Sequence, residues 1–225
     1  ASGSSYVYFS TDDNKIHQYS VSTPGTIRTA DISDHGTITA ITVDSEGYVY
    51  AATKTGGVGS IYKIDFASQK FNHSKINTGS PPEITDLAID KNKNIVFAAS
   101  DKLYQLTSPS YSYSAAYTLV DGDDDITKVA CDANGGIYYV EEDSPDQVVK
   151  YLRPDYTHAW GKNKYMVQTV TEGKFNGLDV GSQYDLVVST SDSKVLRGFT
   201  GSRSDPGKTD SDNDGRLDGF GDVNN

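Results

Sequence analysis

The chain has 225 residues, 36% of them hydrophobic and 11% aromatic, with 16 tyrosines and a formal net charge of -11. That length can bury the core of one all-β domain, alone or with a tail, and a field of that sign repels nucleic acid and anionic lipid while drawing cations, which removes nucleic acid and membrane insertion from the expected partners. Cys131 is the single cysteine, so an intrachain disulfide is ruled out, and no apolar run approaches the ~18 residues of a membrane span. No signal peptide is visible; the opening Ala-Ser-Gly-Ser-Ser reads either as a mature end left by cleavage or as an arbitrary start. The acidic, cysteine-poor composition, rich in Ser, Thr, Asn, Gly and Tyr, points to a secreted or cell-surface protein.

In chain order, residues 6–10 (YVYFS) align with residues 48–52, and residues 15–21 (KIHQYSV) align with the run that follows them. The chain therefore enters its first repeat at the second strand; a strand over about 26–32 closes that unit, and Asp34-His35-Gly36 crosses to the next. The second unit, about 38–76, shows the pattern best. An alternating run meets the turn Asp44-Ser45-Glu46-Gly47, a second run meets a Gly-rich hairpin turn at Gly56-Gly57, a third follows, and a fourth is predicted near 70–76. Pro81 and Pro82 sit in the next crossing, since two prolines cannot occupy a central ladder. The third unit runs from 84 to about 120, with a tight turn at Ala99-Ser100-Asp101-Lys102 and a fourth strand predicted over 113–120. The acidic loop 121–125 leads to the fourth unit, 126 to about 170, whose long insert holds the only Trp, Trp160. The fifth unit, 175–199, shows three strands.

The units recur at about 42 to 49 residues. Four strands at that period predict a β-propeller of about five four-stranded blades over residues 1–200, followed by a short irregular tail over 201–225. Stacking such sheets around an axis covers their faces and leaves only short edges, which a lone four-stranded sheet cannot do. The first unit lacks its inner strand and the fifth its outer one. The blades thus form either a five-bladed ring, the favoured expectation, or an open, incomplete propeller.

Asp44-Ser45-Glu46-Gly47-Tyr48-Val49-Tyr50-Ala51-Ala52 resembles the VDxxGxVYVAD core of NHL-type and YVTN-like propeller repeats, and Ala99-Ser100-Asp101-Lys102-Leu103-Tyr104 is similar to the corresponding turn in those repeats and in five-bladed tachylectin-type lectins. The likeness covers about 6–199. It departs at Gly181, which replaces the turn aspartate found at Asp44, Asp90 and Asp132, and it lacks a repeated Trp-Asn sugar signature. In NHL-like and gluconolactonase-like propellers, ligands and catalytic metals bind at the channel mouth lined by the blade crossings. The resemblance therefore implies a ligand mouth at His35, Thr39, Asp86, Lys128 and Asn176, with Thr39, Thr85, Thr127 and Asn176 in equivalent places at the starts of the inner strands. A ring of threonines there suits hydrogen bonding between blades, and Asp86 and Lys128 are placed to pair.

The most specific motif is terminal. Asp210-Ser211-Asp212-Asn213-Asp214-Gly215-Arg216-Leu217-Asp218 fits D-x-D-x-D-G-x-x-D. Ca²⁺ takes six to eight hard oxygens at about 2.3–2.6 Å, and a Gly after the third carboxylate permits the sharp turn that makes them converge. Asp210, Asp212, Asp214 and Asp218 would supply carboxylates and Arg216 its backbone carbonyl; Gly221 stands where an EF-hand carries its bidentate Glu, and Asp222 can substitute. The pattern resembles thrombospondin type 3 calcium repeats and bacterial cell-surface linkers. Without metal it is an acidic, solvated end.

No catalytic constellation emerges. His17, His35, His73 and His158 form no H-E-x-x-H or H-x-x-E-H, and there is no G-x-S-x-G elbow or P-loop. Cys131 falls at the inner-strand place of Val43 and Ile89, as a small core residue. Trp160, Tyr156 and His158 form either an exposed aromatic patch or packing beneath their loop. The expected function is a non-enzymatic binding or assembly module with a protein or glycan ligand, built with further domains or as a homo-oligomer. The alternatives are a propeller enzyme of the lactonase or lyase kind with a channel metal, and a structural subunit of an extracellular filament.

Overall fold

The computed structural model describes residues 6–67, 71–114, 118–122, 124–133, 135–142, 147–152, 164–170, 175–180, 185–191 and 193–199. The strands are β1 (Tyr6–Thr11), β2 (Lys15–Ser20) and β3 (Ile27–Asp31); β4 (Thr37–Val43), β5 (Val49–Thr55), β6 (Val58–Ile64) and β7 (His73–Lys75); β8 (Asp86–Ile89), β9 (Ile95–Ala99), β10 (Lys102–Leu106) and β11 (Thr118–Asp121); β12 (Ile126–Cys131), β13 (Ile137–Glu141), β14 (Gln147–Leu152) and β15 (Lys164–Val170); and β16 (Phe175–Val180), β17 (Asp185–Thr190) and β18 (Val195–Phe199). They form five antiparallel sheets in sequence order, three of four strands flanked by a three-stranded sheet at each end. The predicted fourth strands prove shorter, β7 covering three residues and β11 starting at Thr118.

The first strands of successive sheets stand side by side, β4 against β8, β8 against β12 and β12 against β16. These are the inner strands of a β-propeller. Among the described residues no comparable contact joins β16–β18 back to β1–β3. The first sheet accordingly leaves one face unstacked, with Val7 51%, Phe9 40% and Ile27 56% exposed.

Packing explains why the second strand of each four-stranded sheet reads as a nearly unbroken apolar run. Along β5, Val49 and Ala51 face the first sheet, where they meet Ile16 and Ala30, while Tyr50 and Ala52 face the third, where they meet Leu87, Ile95 and Phe97. Along β9, Ile95, Phe97 and Ala99 turn back to the second sheet, and Val96 and Ala98 turn forward to Val129, Ile137 and Tyr139 of the fourth. Along β13, Tyr138 and Val140 reach Phe175, Leu186 and Val188 of the fifth. A period of two thus places successive side chains in two different interfaces.

The turns from first to second strand share one device. Asp44 Oδ1 accepts the backbone N–H groups of Glu46 and Tyr48, both at 2.9 Å; Asp90 Oδ1 accepts those of Asn92 at 2.7 Å and Asn94 at 2.9 Å; Asp132 Oδ1 accepts that of Gly136 at 2.8 Å. All three carboxylates are buried. The fourth turn residue has positive φ in each case, 87° at Gly47, 63° at Lys93 and 94° at Gly135. Glycine takes that conformation without strain. The corresponding turn of the fifth unit lies outside the described residues.

Asp44 also accepts the Tyr50 hydroxyl at 3.1 Å in the core, so its removal strands three donors. We expect Asp44→Ala to cost about 3 kcal/mol in urea unfolding. Asp44→Asn, which keeps an acceptor for the two N–H groups, should cost about 1 kcal/mol. An Asp44→Ala midpoint no different from that of a solvent-facing Asp12→Ala control would refute the assigned role.

Candidate functional site

Three of the four inner strands begin with one residue more than the partner strand accommodates. Opposite β5, Ile38 pairs with Thr53 and Ala40 with Ala52, skipping Thr39; opposite β13, Ile126 pairs with Glu141 and Lys128 with Val140, skipping Thr127; opposite β17, Phe175 pairs with Thr190 and Gly177 with Ser189, skipping Asn176. In the third sheet Asp86 pairs with Ala98, whose carbonyl also accepts the Thr85 N–H at 2.9 Å. Thr39, Thr127 and Asn176 are therefore bulge residues, with Thr85 in the equivalent place just ahead of its ladder, and a bulge re-aims the side chains next to it.

The redirected groups are used between sheets. The Thr85 hydroxyl donates to Ala98 O at 3.1 Å within its own sheet and lies 3.2 Å from Ile126 O of the next. Asp86 Oδ2 accepts the Val129 N–H of the fourth sheet at 2.9 Å. The expected Asp86–Lys128 pair is not made: a backbone N–H lies closer, and Lys128 acts on the carboxylate only through its field. Burial pushes the Asp86 carboxyl above the usual range, with the Val129 N–H and the Lys128 charge opposing the rise. Thr39 lies 3.4 Å from Ala52 O, the Thr127 hydroxyl is buried with no hydrogen-bond partner, and Asn176 is exposed.

His35 does not join this group. It ends a short 3-10 turn, stacks on Tyr62 at 4.4 Å and 15°, and meets His73 edge-on at 4.9 Å. Tyr62 and His73 belong to the two outer strands of the second sheet, so aromatic stacking draws His35 away from the axis. The adjacent Gly36 has a φ of 96°, and a Cβ there would fall 2.3 Å from Lys54 O, an approach only glycine allows. The acidic crossing is equally structured. Gly122 N–H donates to Asp101 O at 2.7 Å, and Asp121 forms an ion pair with Lys102.

The four inner strands enclose a cavity of about 430 Å³. Its walls are Ile41–Val43, Asp86–Ile89, Val129–Cys131 and Leu178–Asp179. A smaller space of about 210 Å³ continues from it toward the turns of Asp44, Asp90 and Asp132. Sequence reasoning missed Thr42 and Asp179 as wall residues because it looked only at strand starts. Cys131 borders both spaces, and burial, aided by the Asp90 and Asp132 charges, pushes its thiol up. That disfavours the thiolate and hence nucleophilic chemistry. Among the described residues no three His, Cys, Asp or Glu side chains form a metal-holding group. Asp210, Asp212, Asp214, Arg216, Asp218 and Asp222, like Trp160, lie outside the described residues.

No family model matches the chain, and no curated protein matches its sequence. Solved structures do match in fold. Aldose sugar dehydrogenase from Streptomyces coelicolor, in its PQQ-bound form, aligns with a TM-score of 0.64 at 11% identity over 88% of this chain and 75% of that one. Virginiamycin B lyase from Staphylococcus aureus, solved with quinupristin, gives 0.55 at 9% identity over 87% of this chain and 66% of that one. YCF48 bound to D1 peptide gives 0.53 at 12% identity over 85% and 64%. The chain spans about two thirds of the lyase and YCF48 chains. Identities this low show the fold alone, a β-propeller, and a fold does not carry an activity with it.

Asp86 supplies a test by pH. A carboxyl whose folded pKa exceeds its unfolded value of ~3.9 holds a proton longer in the native state, so ionising it destabilises the fold as pH rises through that window. Asp86→Asn, whose amide oxygen can still accept the Val129 N–H, should match or exceed the parent in stability at pH 7. That advantage should disappear as pH falls below about 4. Urea midpoints from pH 3.5 to 8 measure it; an Asp86→Asn protein that loses most stability at pH 7 would contradict the assignment.

Proposed function

We propose that this protein is a secreted or cell-surface β-propeller of NHL-like repeats acting as a non-enzymatic binding or assembly module for a protein or glycan, with a C-terminal tail ordered by Ca²⁺. The observation supporting the first part is the use made of the inner-strand polar groups. Asp86 and Thr85 are committed to backbone partners across the sheet boundary, and the turn carboxylates to their own turns, so the channel presents fixed polar walls in place of displaceable acids and bases. A lactonase- or lyase-type enzyme is the second reading. It draws on the inner-strand cavity and on fold neighbours that include a lyase and a sugar dehydrogenase. A filament subunit would use the unstacked face of the first sheet.

In the tail, Asp210, Asp212, Asp214 and Asp218, the Arg216 carbonyl and Asp222 would surround the ion, and four carboxylates that repel one another without it would then form a stiff spacer. The acidic composition, rich in Ser, Thr, Asn, Gly and Tyr, fits a secreted or cell-surface protein.

Tb³⁺ luminescence of the intact chain should rise saturably, be displaced by Ca²⁺, and be abolished by the Asp212→Ala, Asp214→Ala pair; absence of a saturable signal defeats the calcium assignment. Size-exclusion chromatography should give the same monomeric elution with and without calcium, whereas calcium-driven assembly selects the filament. Hydrolysis of a sugar lactone by the intact chain, lost in Asp86→Asn, selects the enzyme.

A further inference from the structure

A second cavity, of about 410 Å³, lies away from the channel, between the first and second sheets. It is built from long-range partners: Tyr6 and Tyr8 of β1, Gln18 of β2, Arg28 of β3, and Tyr48 and Asp65 of the second unit. From this groove we infer a binding site for a neutral saccharide, with tyrosine rings as platforms and Gln18 as the buried polar anchor. The inference rests on the reading of the protein as a binding module and gives that reading a place and a ligand class.

The aromatic half is fixed in angle. Tyr8 meets Phe66 edge-on at 5.5 Å and 63°, and Tyr6 stands 6.4 Å from Tyr8 with its plane turned by 51°. Tyr6 remains 44% exposed, so its ring can still be covered. The apolar C–H face of a pyranose is matched to such a ring, which offers flat area and a wet hydroxyl at little entropic cost. The polar half is deeper. Gln18 is only 5% exposed, and its Nε2 donates to Tyr8 Oη at 2.9 Å. That bond holds the amide plane against Tyr8, and among the described residues the Gln18 amide oxygen has no partner. An acceptor held at the base of an aromatic groove is suited to a ligand hydroxyl.

The charges argue for a neutral ligand. Arg28, Glu46 and Asp65 border the groove and are engaged already, as is Lys63 beside Tyr48. Lys63 Nζ lies 3.6 Å over the Tyr48 ring and Arg28 4.9 Å over Phe71; Glu46 is ion-paired with Lys93, and Asp65 Oδ1 accepts the Ala67 N–H at 2.8 Å. A cationic ligand would find a lysine already on Tyr48, and an anionic one would meet Glu46 and Asp65. A sugar, carrying donors and acceptors around an apolar face, uses both halves. The volume has room for one or two rings.

The test is saturation-transfer NMR on the intact chain with methyl glycosides of glucose, galactose, mannose and N-acetylglucosamine and their β-linked disaccharides, with methyl glucuronide and a tyrosine-rich peptide as comparators. A neutral glycoside should receive saturation on its ring protons. Tyr6→Ala and Gln18→Met should each reduce that signal at least fivefold, while Phe9→Ala, on the opposite face of β1, leaves it unchanged. Thermal melts confirm folding, and the exposed Tyr6→Ala decides alone should Gln18→Met not fold. Glycoside binding that survives both substitutions overturns the groove while leaving a saccharide-binding module standing. Transfer to none of the glycosides, or only to the peptide or the glucuronide, overturns the saccharide assignment.

Discussion

In the three four-stranded sheets the second strand, β5, β9 or β13, is buried on both faces, and the two faces belong to different interfaces. Tyr50 and Ala52 are core for the second and third sheets, while Val49 and Ala51, one residue out of step, are core for the first and second. No single sheet could bury such a strand, so the units depend on their neighbours for most of their hydrophobic stabilisation. A one-residue slip in β5 or β9 would exchange the contents of two cores at once, which makes register the most strongly specified property of the chain.

Polar groups then fix how the sheets meet at the axis. The bulges at Thr39, Thr127 and Asn176 lie where the inner strands begin, and in the third sheet Thr85 and Asp86 reach across to the fourth. The turn aspartates close the other ends of the same strands. The channel wall is therefore held at both ends by hydrogen bonds to backbone, and chemistry at its centre would have to arise from groups that this scaffold does not already use.

Much of this was legible in the sequence, because it is written in local signals. The D-x-x-G turns, the period-two runs and the interval between Ile38, Ile84, Ile126 and Phe175 gave the blades and their order. The fourth strands were overestimated because they pair on one side only, and in β7 His73–Lys75 are all exposed. His35 and the Asp86–Lys128 pair were misplaced for a different reason. Chain position locates a residue along an element but says nothing of a competitor as near as Tyr62 or the Val129 N–H. The inter-sheet groove was invisible in the sequence because its residues come from β1, β2, β3 and a turn of the next unit.

The gap between the first and last sheets has a thermodynamic consequence. In a closed ring every blade has two neighbours, and losing one interface exposes no chain end. Among the described residues the first sheet packs through one interface and presents Val7, Phe9 and Ile27 to water. Cooperativity then weakens toward that end: β1–β3 can melt while the sheets centred on β5, β9 and β13 persist, and amide exchange would follow a gradient along the array.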